Sequence, residues 1–159
     1  MKHLQFLQDV KAPATKVYRL MLGLDDIKSY QDWTSAFNPD PDGAPGSYEG
    51  SWDKGSKILF VGLDQDGKRG GMVSKILENK PAEFVSVSHY GMVDGDQEIT
   101  SGAMVEMWAG AMENYTFKER NGVTTVTVDL DTADAFAEMF SEMWPKALSR
   151  LKEICEAKN

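Results

Sequence analysis

His89 and Glu113 are the pair of side chains whose types and settings come nearest to chemistry. His89 closes a run, Ala82 to Tyr90, in which Val85, Val87 and His89 alternate with Ser86 and Ser88. Glu113 opens a second run, in which Glu113, Tyr115 and Phe117 alternate with Asn114, Thr116 and Lys118. Successive side chains of a strand point to opposite faces, so if the small polar residues meet water, His89, Glu113 and Tyr115 point inward. A carboxylate beside an imidazole orients the ring and shares a proton with it, which makes a usable general acid–base unit. The same pattern also describes a buried histidine whose hydrogen bonds do no more than satisfy its own ring.

Other chemistries find less support. Ser51, Ser56, Ser86 and Ser88 lack the turn that presents a hydrolase nucleophile, and Gly70-Gly71 does not make a phosphate loop. That glycine pair is expected to mark a bulge or a close strand approach. Two histidines, His3 and His89, and one cysteine exclude a multi-histidine metal centre, an internal disulfide and a cysteine-built zinc site. No metal or cofactor is expected.

The apolar residues that would surround His89 and Glu113 are largely aromatic. Tyr48 and Trp52 belong to an alternating stretch, Tyr48 to Asp53, and join Tyr115 and Phe117 on the inward side. From Ala133 to Glu156, Phe136, Phe140, Met143, Trp144, Ala147, Leu148, Leu151, Ile154 and Cys155 share one side of a helix. Trp33 and Phe37 occupy the apolar face of an earlier short helix. Apolar walls with a few polar groups are the usual makeup of a small-molecule pocket. Nine methionines could adapt such a pocket to varied ligands, and they fill an ordinary core equally well.

The elements needed to bring these residues together follow from punctuation and period. A first strand, His3 to Val10, ends at Ala12-Pro13, and Pro13 opens a short helix with Val17, Leu20, Met21 and Leu24 on one face. Gly23 breaks that helix and Asp25-Asp26 caps a second, with Ile27, Tyr30, Trp33, Thr34 and Phe37 aligned. Asn38 to Ser47 is a loop dense in Pro, Gly, Asn and Asp. Strands are expected at Tyr48–Asp53, Lys57–Leu63, Gly70–Glu78 and Ala82–Tyr90. A polar loop then covers Gly91–Gly102, and one long or bent strand covers Met104–Lys118. A hairpin at Arg120-Asn121-Gly122 leads to a strand bearing Thr124, Val126, Val128 and Leu130 on one face. Asp131 or Thr132 would then cap the final helix. Pro145 falls on its outer side, where it would bend the helix toward the sheet.

The expected fold class is therefore α+β: a curved antiparallel sheet around a long C-terminal helix, with two short helices after the first strand. The 159 residues suit one domain, residues 1–159. A net charge of −8 argues against nucleic acid or an anionic membrane surface as the main partner. No leader is evident in MKHLQFLQD and no stretch approaches the ~20 apolar residues of a membrane span, so the expected compartment is the cytoplasm. Cys155 lies on the apolar helix face as a small buried hydrophobe.

The element order resembles the SRPBCC superfamily, the START-like or birch-pollen-allergen-like helix-grip proteins. It is most similar to the subgroup named after the C-terminal domain of the activator of the ninety-kilodalton heat-shock protein ATPase. The likeness is carried by KAPATKVYRLML (Lys11–Leu22), GSYEGSWDKGSKILF (Gly46–Phe60), SHYG (Ser88–Gly91), ENYTF (Glu113–Phe117) and WPKALSRLKEI (Trp144–Ile154). It implies a cavity between long helix and sheet, which members use for lipids, hormones, polyketides or aromatic substrates. Some members are enzymes and many only bind, and the fold does not decide between them. The co-chaperone role does not transfer, because the ATPase-stimulating domain precedes this one in that protein and nothing here resembles it. Nor do the Rieske ligands of the oxygenase branch occur. Three functions follow as expectations: binding of a small apolar or aromatic molecule, acid–base catalysis on such a molecule, or protein interaction through a surface over a closed core. The chain would act as a monomer or homodimer.

Overall fold

A computed structural model describes residues 1–38, 44–64 and 66–157. Strand β1 (Lys2–Val10) leads to helices α1 (Ala14–Leu22) and α2 (Ile27–Trp33), the latter extended by a 3₁₀ turn (Thr34–Phe37). Strands β2 (Ser47–Gly50), β3 (Lys57–Leu63), β4 (Arg69–Lys80), β5 (Phe84–Asp94) and β6 (Gln97–Ile99) follow. A one-turn helix α3 (Ala103–Glu106), β7 (Ala111–Arg120), β8 (Val123–Thr132), a 3₁₀ turn (Asp134–Phe136) and α4 (Ala137–Glu156) complete the chain. The strands form one curved antiparallel sheet in the order β1-β8-β7-β5-β4-β3-β2, with β6 paired to the far end of β5.

The local chemistry of the first helices accounts for their limits. Gly23 ends α1 at φ 65, and its N–H bonds the Leu20 carbonyl. A Cβ at this position would lie 2.9 Å from that of Tyr30, so glycine also permits α2 to fold back on α1. The Asp26 side chain caps α2 by accepting from the Lys28 N–H. Helix α4 lies against β1, α1, α2 and the first 3₁₀ turn. Its Trp144 stacks on Phe6 of β1 at 6.3 Å and leans on Trp33 of α2 at 5.8 Å. Trp144, Ala147, Leu148, Leu151 and Cys155 are buried, and Pro145 is on the solvent side.

Several expectations need correction. Strand β2 stops at Gly50 rather than Asp53, so Trp52 reaches the interior from an irregular segment. Strand β5 continues through Gly91–Asp94, previously a loop, because Val93 packs with Leu59 and Val73 in a small cluster on the other face of the sheet. The true turn is at Gly95, φ 62, and β6 follows it. Met104–Lys118 is split: Gly102 and Gly110, both at positive φ, bracket α3, which buries Val105. Ser86 is buried, since its cross-strand neighbours Glu78 and Asn114 carry longer side chains that screen it. Leu24 is exposed, its place on the α1 face taken by Tyr18 and Leu22.

Neither Asp131 nor Thr132 caps the last helix. Strand β8 runs to Thr132, and Asp131 accepts from the Met112 N–H instead. The chain turns through 134–136 before α4 begins, which leaves Phe136 half exposed, at 51%. Of the loop Asn38–Ser47, residues 39–43 lie outside the described residues, as does residue 65 of the turn at Asp64–Gly67.

Candidate functional site

A buried chain of polar groups crosses the concave face. Ser74 on β4 and His89 on β5 are register partners, and Ser74 Oγ stands 2.6 Å from His89 Nδ1. His89 Nε2 lies 3.1 Å from Glu113 Oε1 on β7, and the Tyr115 hydroxyl donates to Glu113 Oε2. One consistent proton assignment has Ser74 donating to Nδ1 and Nε2–H donating to the carboxylate. Ser74 has no exposed surface, so it cannot meet a substrate as a nucleophile here.

The electrostatics favour an ionised Glu113. Burial raises the carboxyl pKa, but the hydrogen bond and electrostatic attraction of His89, with the Tyr115 hydrogen bond, outweigh it and leave the pKa lowered. Burial and the neighbouring Glu113 charge both push the Tyr115 phenol up, and the same two causes, with Tyr48, raise Tyr30. These tyrosines therefore stay neutral, and Tyr115 serves as a hydrogen-bond donor to Glu113. The Glu113 side chain keeps 23% of its surface exposed, and both of its oxygens already hold a protein partner.

The aromatic surroundings form two connected runs of rings. One passes from Tyr30 to Tyr48, Trp52, Phe60 and His89 with ring separations of 5.0, 5.4, 5.5 and 6.0 Å. The other gathers Trp33, Phe37 and Tyr115 around Trp144 at 5.8, 5.0 and 6.3 Å. Phe140 is half-buried at the margin, 6.4 Å from Phe37. Tyr48 is anchored by its hydroxyl, which donates to the Leu22 and Gly23 carbonyls at 2.8 and 3.1 Å.

Three residues proposed for the lining lie elsewhere. Phe136 is exposed because the helix starts one turn later than the apolar periodicity suggested. Phe117 is buried toward α1, edge-on to Tyr18 at 5.8 Å. Met143 is half-buried and outside the main core cluster. Ser74, Tyr30 and Phe60 belong to the site but were not singled out. Phe60 sits in a run apolar on both faces, and Ser74 faces inward by ordinary alternation with Val73, the extra residue at this point being Tyr90 on β5. The Gly70-Gly71 pair marks a close approach of β4 to the Phe60 carbonyl.

Two grooves open on the described surface, both away from this site. One of about 540 Å³ lies between α1 and the end of α4, lined by Pro13, Lys16, Arg19, Leu20 and Ile154 among others. The second, about 470 Å³, is lined by residues of β3, β4 and β5 including Leu63, Arg69, Gly71 and Val93. Among the described residues no group of histidine, cysteine and carboxylate side chains has the geometry to hold a metal ion. Among the described residues, too, no helix is long and apolar enough to cross a membrane.

Comparison with known proteins leaves the sequence without a matching family model or a matching curated protein. Solved structures do match. The Aha1 dimer from Colwellia psychrerythraea superposes with a TM-score of 0.64 at 21% identity, over 98% of this chain and 97% of that one. A protein of Mesorhizobium loti gives 0.70 at 8% identity, over 99% of each chain. One from Chromobacterium violaceum gives 0.66 at 16%, over 98% of each. The chain has the helix-grip fold. At these identities the likeness fixes the helix-grip architecture and leaves the chemistry to the residues above.

Proposed function

We propose that this single-domain helix-grip protein binds a small aromatic or apolar molecule that offers a hydroxyl or amine to Glu113. The observation that carries the reading is a partly exposed, ionised carboxylate set among aromatic rings. A carboxylate held by Tyr115 and His89 retains acceptor capacity, and a ligand donor would be bound there by a charge-assisted hydrogen bond. The rings give the contact area, and the half-buried Phe37, Phe60 and Phe140 are the side chains able to swing and admit a guest.

Binding is favoured over acid–base catalysis because both ring nitrogens of His89 are already engaged, by Ser74 and Glu113. His89 then positions Glu113 rather than meeting substrate. A carboxyl with a lowered pKa is also a weak base and is deprotonated at neutral pH, which suits recognition better than proton transfer.

The test is thermal denaturation with 2-naphthol and naphthalene. Binding to the native state alone raises the melting temperature with ligand concentration. We expect 2-naphthol to raise it more than naphthalene, and Glu113→Gln to shrink that difference. Failure of either compound to move the wild-type midpoint would favour the interaction-module reading, for which the groove between α1 and α4 is the specific observation. Mass spectrometry of molecules retained through native purification tests the same point without a chosen probe. Light scattering would decide between the proposed monomer and homodimer, the latter prompted by the dimeric Aha1 neighbour.

A further inference from the structure

Trp52 has a buried indole N–H with no hydrogen-bond acceptor among the described residues. The residue is 5% exposed, its Nε1 is enclosed, and no acceptor among the described residues lies within reach. A buried donor left unpaired costs stability comparable to a lost hydrogen bond, so such groups are rare in native interiors. Trp33 shows the ordinary solution in the same core: its Nε1–H donates to the Met21 carbonyl at 2.8 Å.

The polar groups of the neighbouring residues are turned to other partners. The Tyr48 hydroxyl is committed to two carbonyls, the Trp52 carbonyl accepts from Asn79 Nδ2, and Asn79 Oδ1 accepts from Tyr18. The ring neighbours are Tyr48 and Phe60, whose faces offer a water molecule little to bond, and a buried water needs two to four polar partners. Phe60 is in turn edge-on to His89, so the unpaired donor belongs to the ring run that ends at the polar chain. The other enclosed unpaired atom, Asn114 Oδ1, is on the opposite face of β7 from Glu113 and Tyr115 and has no part in this site.

We propose that the Trp52 indole N–H is a recognition point for the bound molecule, which therefore carries a neutral hydrogen-bond acceptor such as a ketone or ester oxygen. The inference rests on the ligand-binding reading and narrows it: a hydrocarbon would leave the N–H unpaired, and an oxygenated aromatic would satisfy it. Sites built to pair a buried polar group discriminate strongly against analogues that lack the partner.

Two probes that differ by one carbonyl oxygen separate the cases, 2-acetonaphthone and 2-ethylnaphthalene. Wild type should bind the ketone about tenfold more tightly. Trp52→Phe, which keeps a ring and deletes the N–H, should abolish that preference, bringing the affinities for the two probes within about twofold of each other. The same preference in the variant, or none in wild type, would overturn the inference while leaving ligand binding standing. Failure of both probes to bind wild type would count against the ligand-binding reading and this inference together. Should Trp52→Phe not fold, indole ¹⁵N–¹H spectra of the wild type give an independent readout. The Trp52 resonance should move downfield with the ketone and not with the hydrocarbon, and an unmoved resonance under saturating ketone would refute the assignment.

Discussion

His89 and Glu113 meet across a diagonal of the sheet. His89 is paired in register with Ala111 and Glu113 with Val87, yet Nε2 and Oε1 come within 3.1 Å. Diagonal neighbours in an antiparallel pair stand roughly 7–8 Å apart at the backbone, a gap that only long side chains bridge. The arrangement couples two groups that each also hold a third partner, Ser74 on one side and Tyr115 on the other.

That coupling is measurable. Replacing His89 or Glu113 singly by Ala leaves the other buried and short of a partner, and each should cost about 1–3 kcal/mol in urea denaturation. The double variant should cost less than the sum, with a coupling of about 1–2 kcal/mol, inside the range seen for residues sharing one network. Strict additivity would mean that the contact contributes nothing.

The Glu113 carboxyl has a lower pKa in the folded protein than in the unfolded chain. Its contribution to stability is therefore complete above the unfolded value, near 4.5, and is lost as pH falls through the folded value. Wild type should lose stability on acidification below about pH 4.5, and Glu113→Gln should show a shallower decline over the same interval. Chemical denaturation at a series of pH values would record both slopes. Parallel curves would show that Glu113 titrates alike in both states.

Much of this site was legible before any coordinates, for a definite reason. Val85, Val87 and His89, like Glu113, Tyr115 and Phe117, alternate along strands with a buried face, and period two then assigns inward residues directly. Ser74 escaped because Met72 and Ile76 on its own face and Val73 and Leu77 on the other are all apolar, so alternation along β4 names no inward side. Phe60 escaped because Leu59 and Val61 on the opposite face are apolar too, packing with Val73 and Val93. Phe136 was misplaced by extending the helical period back through a 3₁₀ turn, where residues advance by three per turn rather than 3.6. The unpaired Trp52 N–H had no signature at all, since it depends on what surrounding atoms have already bonded.

Gly71 tests how β3 and β4 hold Phe60 in place. A Cβ there would fall 1.8 Å from the Phe60 carbonyl oxygen, and the backbone sits at φ 146, where side chains are strained. Gly71→Ala should destabilise by about 4 kcal/mol or more, a size reserved for named backbone or packing failures. Gly67, at φ 78 but with open space around it, should tolerate the same change at a cost of about 1 kcal/mol. Equal midpoints for the two variants would show that the β3–β4 approach can relax.

Phe140 and Trp144 distinguish a mobile rim from a rigid core. Trp144 is buried among Phe6, Trp33, Phe37 and Tyr115, so Trp144→Ala should cost about 5 kcal/mol, the top of the range for large-to-small core changes. Phe140 is half-buried and has one aromatic neighbour, Phe37, so Phe140→Ala removes fewer contacts and should cost about 2 kcal/mol. If Phe140 is a side chain that yields to a guest, its loss should alter affinity for 2-naphthol by a larger factor than a conservative Leu148→Val at the helix centre does. Urea midpoints and naphthol titrations on the three variants give the comparison. A penalty for Phe140→Ala as large as that for Trp144→Ala, with unchanged naphthol affinity, would place Phe140 in a fixed core and move the entrance elsewhere.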